Sequence, residues 1–338
     1  MIFENFHLAL LLIFVFFIIF LFIIGIRAKR FKNNKGFINT IFIAIILIAS
    51  IILYYIKSFQ IGYLILVYPL DFLLVILFLL MIGVQQIYIY RVKHSNNSEK
   101  NSELILRNSK DFTIHQESGR KALHLLGFLL IPPYFGFGTL YYDLLRILLD
   151  FFNVPPMNVR PELIPQTMAL LGILSAFIFV MIPEIYRMYR HDYCLLQRFM
   201  QILRREELNA IGPHISTIGG VIIPIILISD PYLAVGTMFS AIMADGVASV
   251  IGKKWGKKVF NKKNNKTIEG LTAGIITCFF TSYIFYMFNY PVYKGIIFSL
   301  ICCVIFGVLD YLSISISDNS LNPLISGIII SFTNILMI

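Results

Sequence analysis

Apolar stretches of membrane-spanning length recur along the whole 338-residue chain, separated by shorter polar ones. A helix needs about 20 apolar residues to cross the hydrocarbon core. Ten stretches have this form: 8–26, 38–56, 63–84, 121–138, 163–183, 213–229, 231–251, 269–289, 294–310 and 322–338. The pattern predicts an all-α, polytopic integral membrane protein with about ten transmembrane helices. Residues 139–162 fit less well, because Asp143, Arg146, Asp150, Pro155 and Pro156 interrupt them. They read as an interfacial helix and a turn.

The polar stretches divide sharply by charge. With the N-terminus outside, the inner segments are 27–35, 85–121, 184–208, 252–266 and 311–321, and they carry 24 of the 28 lysines and arginines. The outer segments keep only Lys57, Arg146, Arg160 and Lys294. This is the asymmetry of the positive-inside rule. The first apolar run is too long for a signal-peptide core. It is preceded only by Glu4 and followed by Arg27, Lys29 and Arg30, the pattern of a retained span entering from outside.

Composition supports this reading. The chain is 58% hydrophobic and 14% charged, against about 25% charged in soluble domains. A net charge of +10 does not imply a nucleic-acid partner here, since the basic residues are already explained by topology. The four cysteines form no CxxC pair, which excludes the usual structural zinc spacing. The Asn/Ser-rich stretch between Lys93 and Lys110 predicts a linker. It divides the chain into an accessory module of three helices (1–90), a cytoplasmic linker (91–118) and a catalytic core of about seven helices (119–338).

The candidate chemistry gathers on the inner face. Arg120, Lys121 and His124 open the fourth predicted span, with Arg120 and His124 sharing a helix face at i, i+4. Free amides of a first helical turn also favour anions. A charged segment from Arg204 to Glu207 runs into Gly212-Pro213-His214. It reads most simply as a solvated amphipathic helix, with the glutamates as alternative metal or lysine partners. Asp318-Asn319 and Pro323 stand before the last span, where helix capping is an equal reading.

The densest cluster is Asp245, Gly252, Lys253, Lys254 and Gly256, followed by Lys266-Thr267 and Glu269-Gly270. A topological anchor explains the lysines but not the acid, the glycine spacing or Glu269-Gly270. An Asp in a membrane helix is costly unless it binds something. Lysines beside it suit phosphate, and glycines permit close backbone approach. Mg²⁺ takes one or two carboxylates and completes its shell with water and phosphate oxygens, so Asp245 is the first-choice ligand and Glu269 the second.

In these motifs the chain resembles the CTP-dependent lipid-alcohol kinases: dolichol kinase, phytol kinase and CTP-dependent diacylglycerol kinase. It is more distantly similar to phosphatidate cytidylyltransferases. The family's Arg-Lys-x-x-His is matched by Arg120, Lys121 and His124, and a Gly-Pro inner loop by Gly212 and Pro213. Its central Asp-x-x-Ala-x-x-x-Gly-Lys-x-x-Gly and Lys-[Ser/Thr]-x-Glu-Gly are matched by Asp245, Ala248, Gly252, Lys253, Gly256, Lys266, Thr267, Glu269 and Gly270. The final Asp-Asn and proline are Asp318, Asn319 and Pro323. Ser320 and Asn322 depart from the pattern, standing where apolar residues are common.

The resemblance covers about 120–338 and implies transfer of the γ-phosphoryl of CTP, with Mg²⁺, to the hydroxyl of a membrane isoprenoid or glycerolipid alcohol. Dolichol or a polyprenol leads because of the long N-terminal module. Arg120 and Lys121 would clamp phosphate, and His124 would accept the hydroxyl proton. Lys253, Lys254 and Lys266 would neutralise the triphosphate, beside Gly252, Gly256, Thr267 and Gly270. The expected partners are the lipid alcohol, CTP and membrane lipids. The host is a prokaryotic plasma membrane or an endoplasmic reticulum, with the site on the cytoplasmic face. Two alternatives remain at this point. One is cytidylyl transfer to a phosphorylated lipid, against which Asp318 stands without a close second aspartate in sequence. The other is a lipid transporter, which the near absence of mid-span charges disfavours.

Overall fold

The computed structural model describes residues 2–62, 64–94, 134–135, 137–151, 160–196, 203, 207–261 and 266–337. Arg120, Lys121 and His124 lie outside the described residues, as do most of the predicted span 121–138 and the linker beyond His94. Described in chain order, the helices are α1 Ile2–Arg30, α2 Asn34–Ile61, α3 Leu70–Lys93, α4 Phe137–Phe151 and α5 Ile164–Tyr189. They continue with α6 Pro213–Leu227, α7 Pro231–Trp255, α8 Ile268–Tyr286, α9 Val292–Leu312 and α10 Asp318–Leu336. A short antiparallel hairpin, β1 Val259–Asn261 and β2 Lys266–Thr267, joins α7 to α8.

Among the described residues seven helices are long and apolar enough to cross a membrane. α6 is apolar but has only 15 residues. α10 is interrupted by Asp318, Asn319, Ser320 and Asn322 in its first turns. The predicted boundaries move where local chemistry overrides hydropathy. α3 starts at Leu70, seven residues late, because Gly62 ends α2 in a left-handed conformation and the chain turns before Pro69. α5 runs on to Tyr189 past its apolar stretch, carrying Glu184 and Arg187 inside. The helix foreseen within 139–162 is α4, with Asp143 and Arg146 exposed beside Leu144 and Ile147.

Contacts between helix ends sort the described loops into two groups. At one end Arg27 at the close of α1 donates to the carbonyl of Met188 in α5, and Gln85 of α3 donates to that of Tyr193. Asn39 near the start of α2 accepts the Ser317 amide at 2.7 Å, just before α10. The described helix ends and loops here carry Arg30, Lys32, Lys93, Arg190, Lys254 and Lys258. Lys57, Arg160 and Lys294 stand at the opposite end, where Lys294 bonds the Met337 carbonyl at 2.8 Å.

Small residues set the closest helix approaches, as expected where packing rather than water drives association. A Cβ on Gly220 of α6 would lie 2.6 Å from both Cα and O of Ser320 in α10. Backbone cannot yield there. Gly220→Ala is therefore expected to force α6 and α10 apart at a cost of about 1–3 kcal/mol, seen as a lower unfolding temperature in detergent; an unchanged midpoint would refute the contact.

One buried ion pair ties the bundle to its loop. Arg187 is fully buried and Glu184 is 1% exposed. The guanidinium holds the carboxylate in a fork, Nε to Oε2 at 2.7 Å and one terminal nitrogen to Oε1 at 2.6 Å. Its remaining donors bind the carbonyls of Leu208 at 2.8 Å and Ala210 at 2.6 Å. Glu184 accepts the Gly212 amide at 2.7 Å. The amphipathic helix expected before Gly212 is, over its described residues 207–210, a turn gripped by Arg187. Sequence reading had placed both charged residues in a loop; they sit inside because α5 continues and each satisfies the other.

Candidate functional site

A narrow recess opens among α6, α7 and α10, lined by Thr217, Ala241, Ile242, Asp245, Asp318, Asn319 and Pro323. Each polar residue is delivered by a helix start or a helix interior. Thr217 is the fifth residue of α6, and its hydroxyl bonds the Pro213 carbonyl at 3.0 Å. Asp318 and Asn319 open α10. Asp245 is deeper than the sequence indicated. α7 continues to Trp255, so Asp245 stands ten residues from its end, roughly 15 Å at 1.5 Å per residue. The extension is carried by Lys253, Lys254 and Trp255, whose polar heads reach past the apolar layer.

Beside this cavity Lys266 clasps two acids. Its ammonium lies 2.7 Å from Asp310 Oδ1 and 2.9 Å from Asp318 Oδ2, and also donates to the Asp310 carbonyl at 3.2 Å. One lysine on the hairpin thereby joins the end of α9 to the start of α10. Burial opposes its charge, but Asp318 and Asp310 outweigh that and hold its pKa above the ordinary value of 10.5. A raised lysine pKa contributes stability in full below the unfolded value, and loses it only as pH rises through the folded one. The lysine of the clasp therefore keeps its charge at neutral pH. Lys266→Met is expected to cost about 1–3 kcal/mol, with a lowered unfolding midpoint at pH 7; no change would show that the two aspartates do not need it.

The other residues of the central motif are arranged around the hairpin. Thr267 caps α8, accepting the Gly270 amide at 3.2 Å. Glu269 is exposed and accepts the Lys258 amide on both oxygens at 3.2 Å. It does not line the cavity, so the second carboxylate there is Asp318. Lys253 and Lys254 are exposed at the end of α7, with Lys254 4.7 Å from the Trp255 ring centroid.

The glycines of the motif pack α7 against α8. A Cβ on Gly252 would meet the Thr267 hydroxyl at 3.0 Å, and one on Gly270 would meet the Ala248 carbonyl at 2.7 Å and Gly252 Cα at 3.0 Å. Gly256 is pressed on Thr267 in the same way. Close approach at these glycines is made by α7 and α8 to each other. Ala248 and Gly252 on one helix, with Gly256 at its cap, and Gly270 and Gly274 on the other form a small-residue packing seam.

Two features escaped the sequence reading. Asp310 is eight residues from Asp318 in sequence, yet the short turn between α9 and α10 returns both to one lysine. The signal was available: acids flanking a turn that short share one end of the bundle. Asn322 lies one turn from Asp318, is 1% exposed, and neither of its amide atoms finds a partner among the described residues.

Asp245, Asp318, Asn319 and Thr217 are all oxygen donors, the set a hard cation such as Mg²⁺ prefers. Among the described residues no group of three or more His, Cys, Asp or Glu could hold a metal ion. Two carboxylates would leave most of a Mg²⁺ shell to ligands from outside the chain. Comparisons of this chain with protein-family models, curated proteins and solved structures find no match.

Proposed function

We propose that this protein is a CTP-dependent kinase of a membrane lipid alcohol, dolichol or a polyprenol first. In this reading about ten helices cross the membrane, the N-terminus is outside, and the Lys/Arg-rich end faces the cytosol. The observation that carries it is the recessed cavity between Asp245 and Asp318, with Lys266 fastened beside it. Asp245 and Asp318 would hold Mg²⁺, with Asn319 and Thr217 as neutral oxygen donors. When bound, the cation would neutralise charge on the phosphates.

The chain's own residues account for the rest. Lys253, Lys254, Lys257 and Lys258 at the rim raise the local concentration of a triphosphate. Lys266 fixes Asp318, so the acid does not have to reorganise when the nucleotide arrives. Transfer joins the lipid hydroxyl oxygen to the γ-phosphorus and breaks the bond to CDP, while the hydroxyl proton passes to a base. His124 is the residue that the family resemblance offers for that base. Phosphoryl transfer is mostly positioning and charge neutralisation, which suits a cavity recessed from solvent.

One observation favours a second reading. Asp310 stands beside Asp318 in space, so the argument that separated this chain from cytidylyltransferases loses its force. The deciding experiment offers purified protein, Mg²⁺ and CTP labelled at the α or γ phosphate to polyprenols, geranylgeraniol, phytol, diacylglycerol and phosphatidic acid. Label from the γ position on an alcohol is the expected outcome. Label from the α position on phosphatidic acid would replace the kinase by cytidylyl transfer. Transfer of neither label would overturn both and favour transport.

A further inference from the structure

Lys266 carries three N–H donors on its ammonium, and each has an acceptor within the protein. Asp310 Oδ1 lies at 2.7 Å, Asp318 Oδ2 at 2.9 Å and the Asp310 carbonyl at 3.2 Å. The set is complete without a phosphate, and Asp310 supplies two of its members. The Asp310 carbonyl sits in the last turn of α9, where carbonyls lack intrahelical partners, and it also accepts the Ser313 hydroxyl at 3.0 Å.

Two acids on one lysine are more than anchoring requires. Asp310 alone would tie the hairpin to α9, and Asp318 alone would tie it to α10. The two acids differ in one respect: Asp318 lines the recess with Asp245, and Asp310 does not. The side chains of Lys266, Asp310 and Asp318 are 20%, 8% and 22% exposed, so salt screens their charges weakly. In such a place the balance of charge matters. A lysine paired with Asp318 alone would orient that carboxylate and cancel its charge at once. With Asp310 present, two anions face one cation, and the clasp keeps a net negative charge. Lys266 donates to Oδ2 of Asp318, and a carboxylate has a second oxygen with lone pairs of its own.

We infer that Asp310 is a positioning residue of the recess: it neutralises Lys266, which then holds Asp318 in place without cancelling the charge Asp318 offers a divalent cation. The inference rests on the proposed cation site between Asp245 and Asp318, and it concerns an acid outside that site. It also takes Lys266 away from the triphosphate contacts suggested by sequence, leaving that part to the lysines at the rim.

The test measures Mn²⁺ binding to the full-length protein in detergent without nucleotide, by loss of the electron paramagnetic resonance signal of free Mn²⁺. This readout is independent of turnover. The unaltered protein should bind Mn²⁺, and Asp245→Asn should weaken binding about tenfold or more, which locates the ion. Asp310→Asn should weaken it about tenfold through loss of one nearby negative charge. Asp310→Glu keeps the charge and should stay within about threefold of the unaltered protein. The double variant Asp310→Asn, Lys266→Met restores the balance of charge and should return to within about threefold as well. A merely structural Asp310 would not be rescued by removing its partner. Lys266→Met alone should bind Mn²⁺ at least as tightly as the unaltered protein, and this comparison serves should Asp310→Asn not fold. Unchanged affinity in Asp310→Asn, no recovery in the double variant, or weaker binding in Lys266→Met would each overturn the inference and leave the cation site standing. No Mn²⁺ binding by the unaltered protein, or binding indifferent to Asp245→Asn, would overturn the cation site and the inference with it.

Discussion

Asp245→Asn is expected to lower γ-phosphoryl transfer from CTP by about 10³-fold or more while leaving the unfolding midpoint in place. The amide is isosteric, so the walls formed by Ala241, Ile242 and Pro323 are undisturbed, but it binds a hard cation far less well than a carboxylate. Asp318→Asn should cause a comparable loss, since its side chain faces the same cavity. Glu269→Gln should cost much less, because that carboxylate is exposed and accepts the Lys258 amide. The three variants measured together locate the metal. Near-normal turnover in Asp245→Asn would remove this acid from the chemistry. A large loss in Glu269→Gln would return the second ligand to where the sequence first put it.

The largest stability effect is expected at Arg187→Met. It would strand Glu184, which is 1% exposed, and deprive the Leu208 and Ala210 carbonyls of their donor. Removing one partner of a buried pair costs about 3–5 kcal/mol. The double variant Glu184→Gln, Arg187→Met should recover part of that loss, because no uncompensated charge remains. Thermal unfolding in detergent reads both. Equal stability of single and double variants would mean the charge is already solvated. The turn also delivers Gly212 and Pro213 to the start of α6, so transfer should fall in the single variant through Thr217.

The contrast between these two predictions shows what hydropathy and motif can carry. Nine of the ten expected spans have a counterpart among the described helices, because a 20-residue apolar run admits few alternatives to a helix in a membrane. Asp245, Lys266 and Asp318 were singled out by their charge in an apolar setting. Glu184 and Arg187 were not, since span ends were drawn where apolar residues stop. A helix continues past that point when its polar groups find one another, and that depends on Leu208, Ala210 and Gly212 far along the chain. The packing role of the glycines is hidden from the sequence for a related reason. A bare Cα permits close approach without saying to what, and only the crossing of α7 and α8 supplies Thr267 and Ala248 as neighbours.

The link between Asn39 and the Ser317 amide bears on how the chain is divided. α2 packs along α6, with Ile43 against Gly219, and its first turns reach the start of α10 beside Asp318. The three N-terminal helices thus pack, through α2, directly against the helices that line the Asp245 recess. A truncation starting after His94 would uncover an apolar flank of α6 and leave the α10 entrance unbraced. Two fragments expressed from separate genes and broken within the linker should instead find each other in the bilayer and co-purify. That arrangement would let either half be exchanged, labelled or titrated without touching the other.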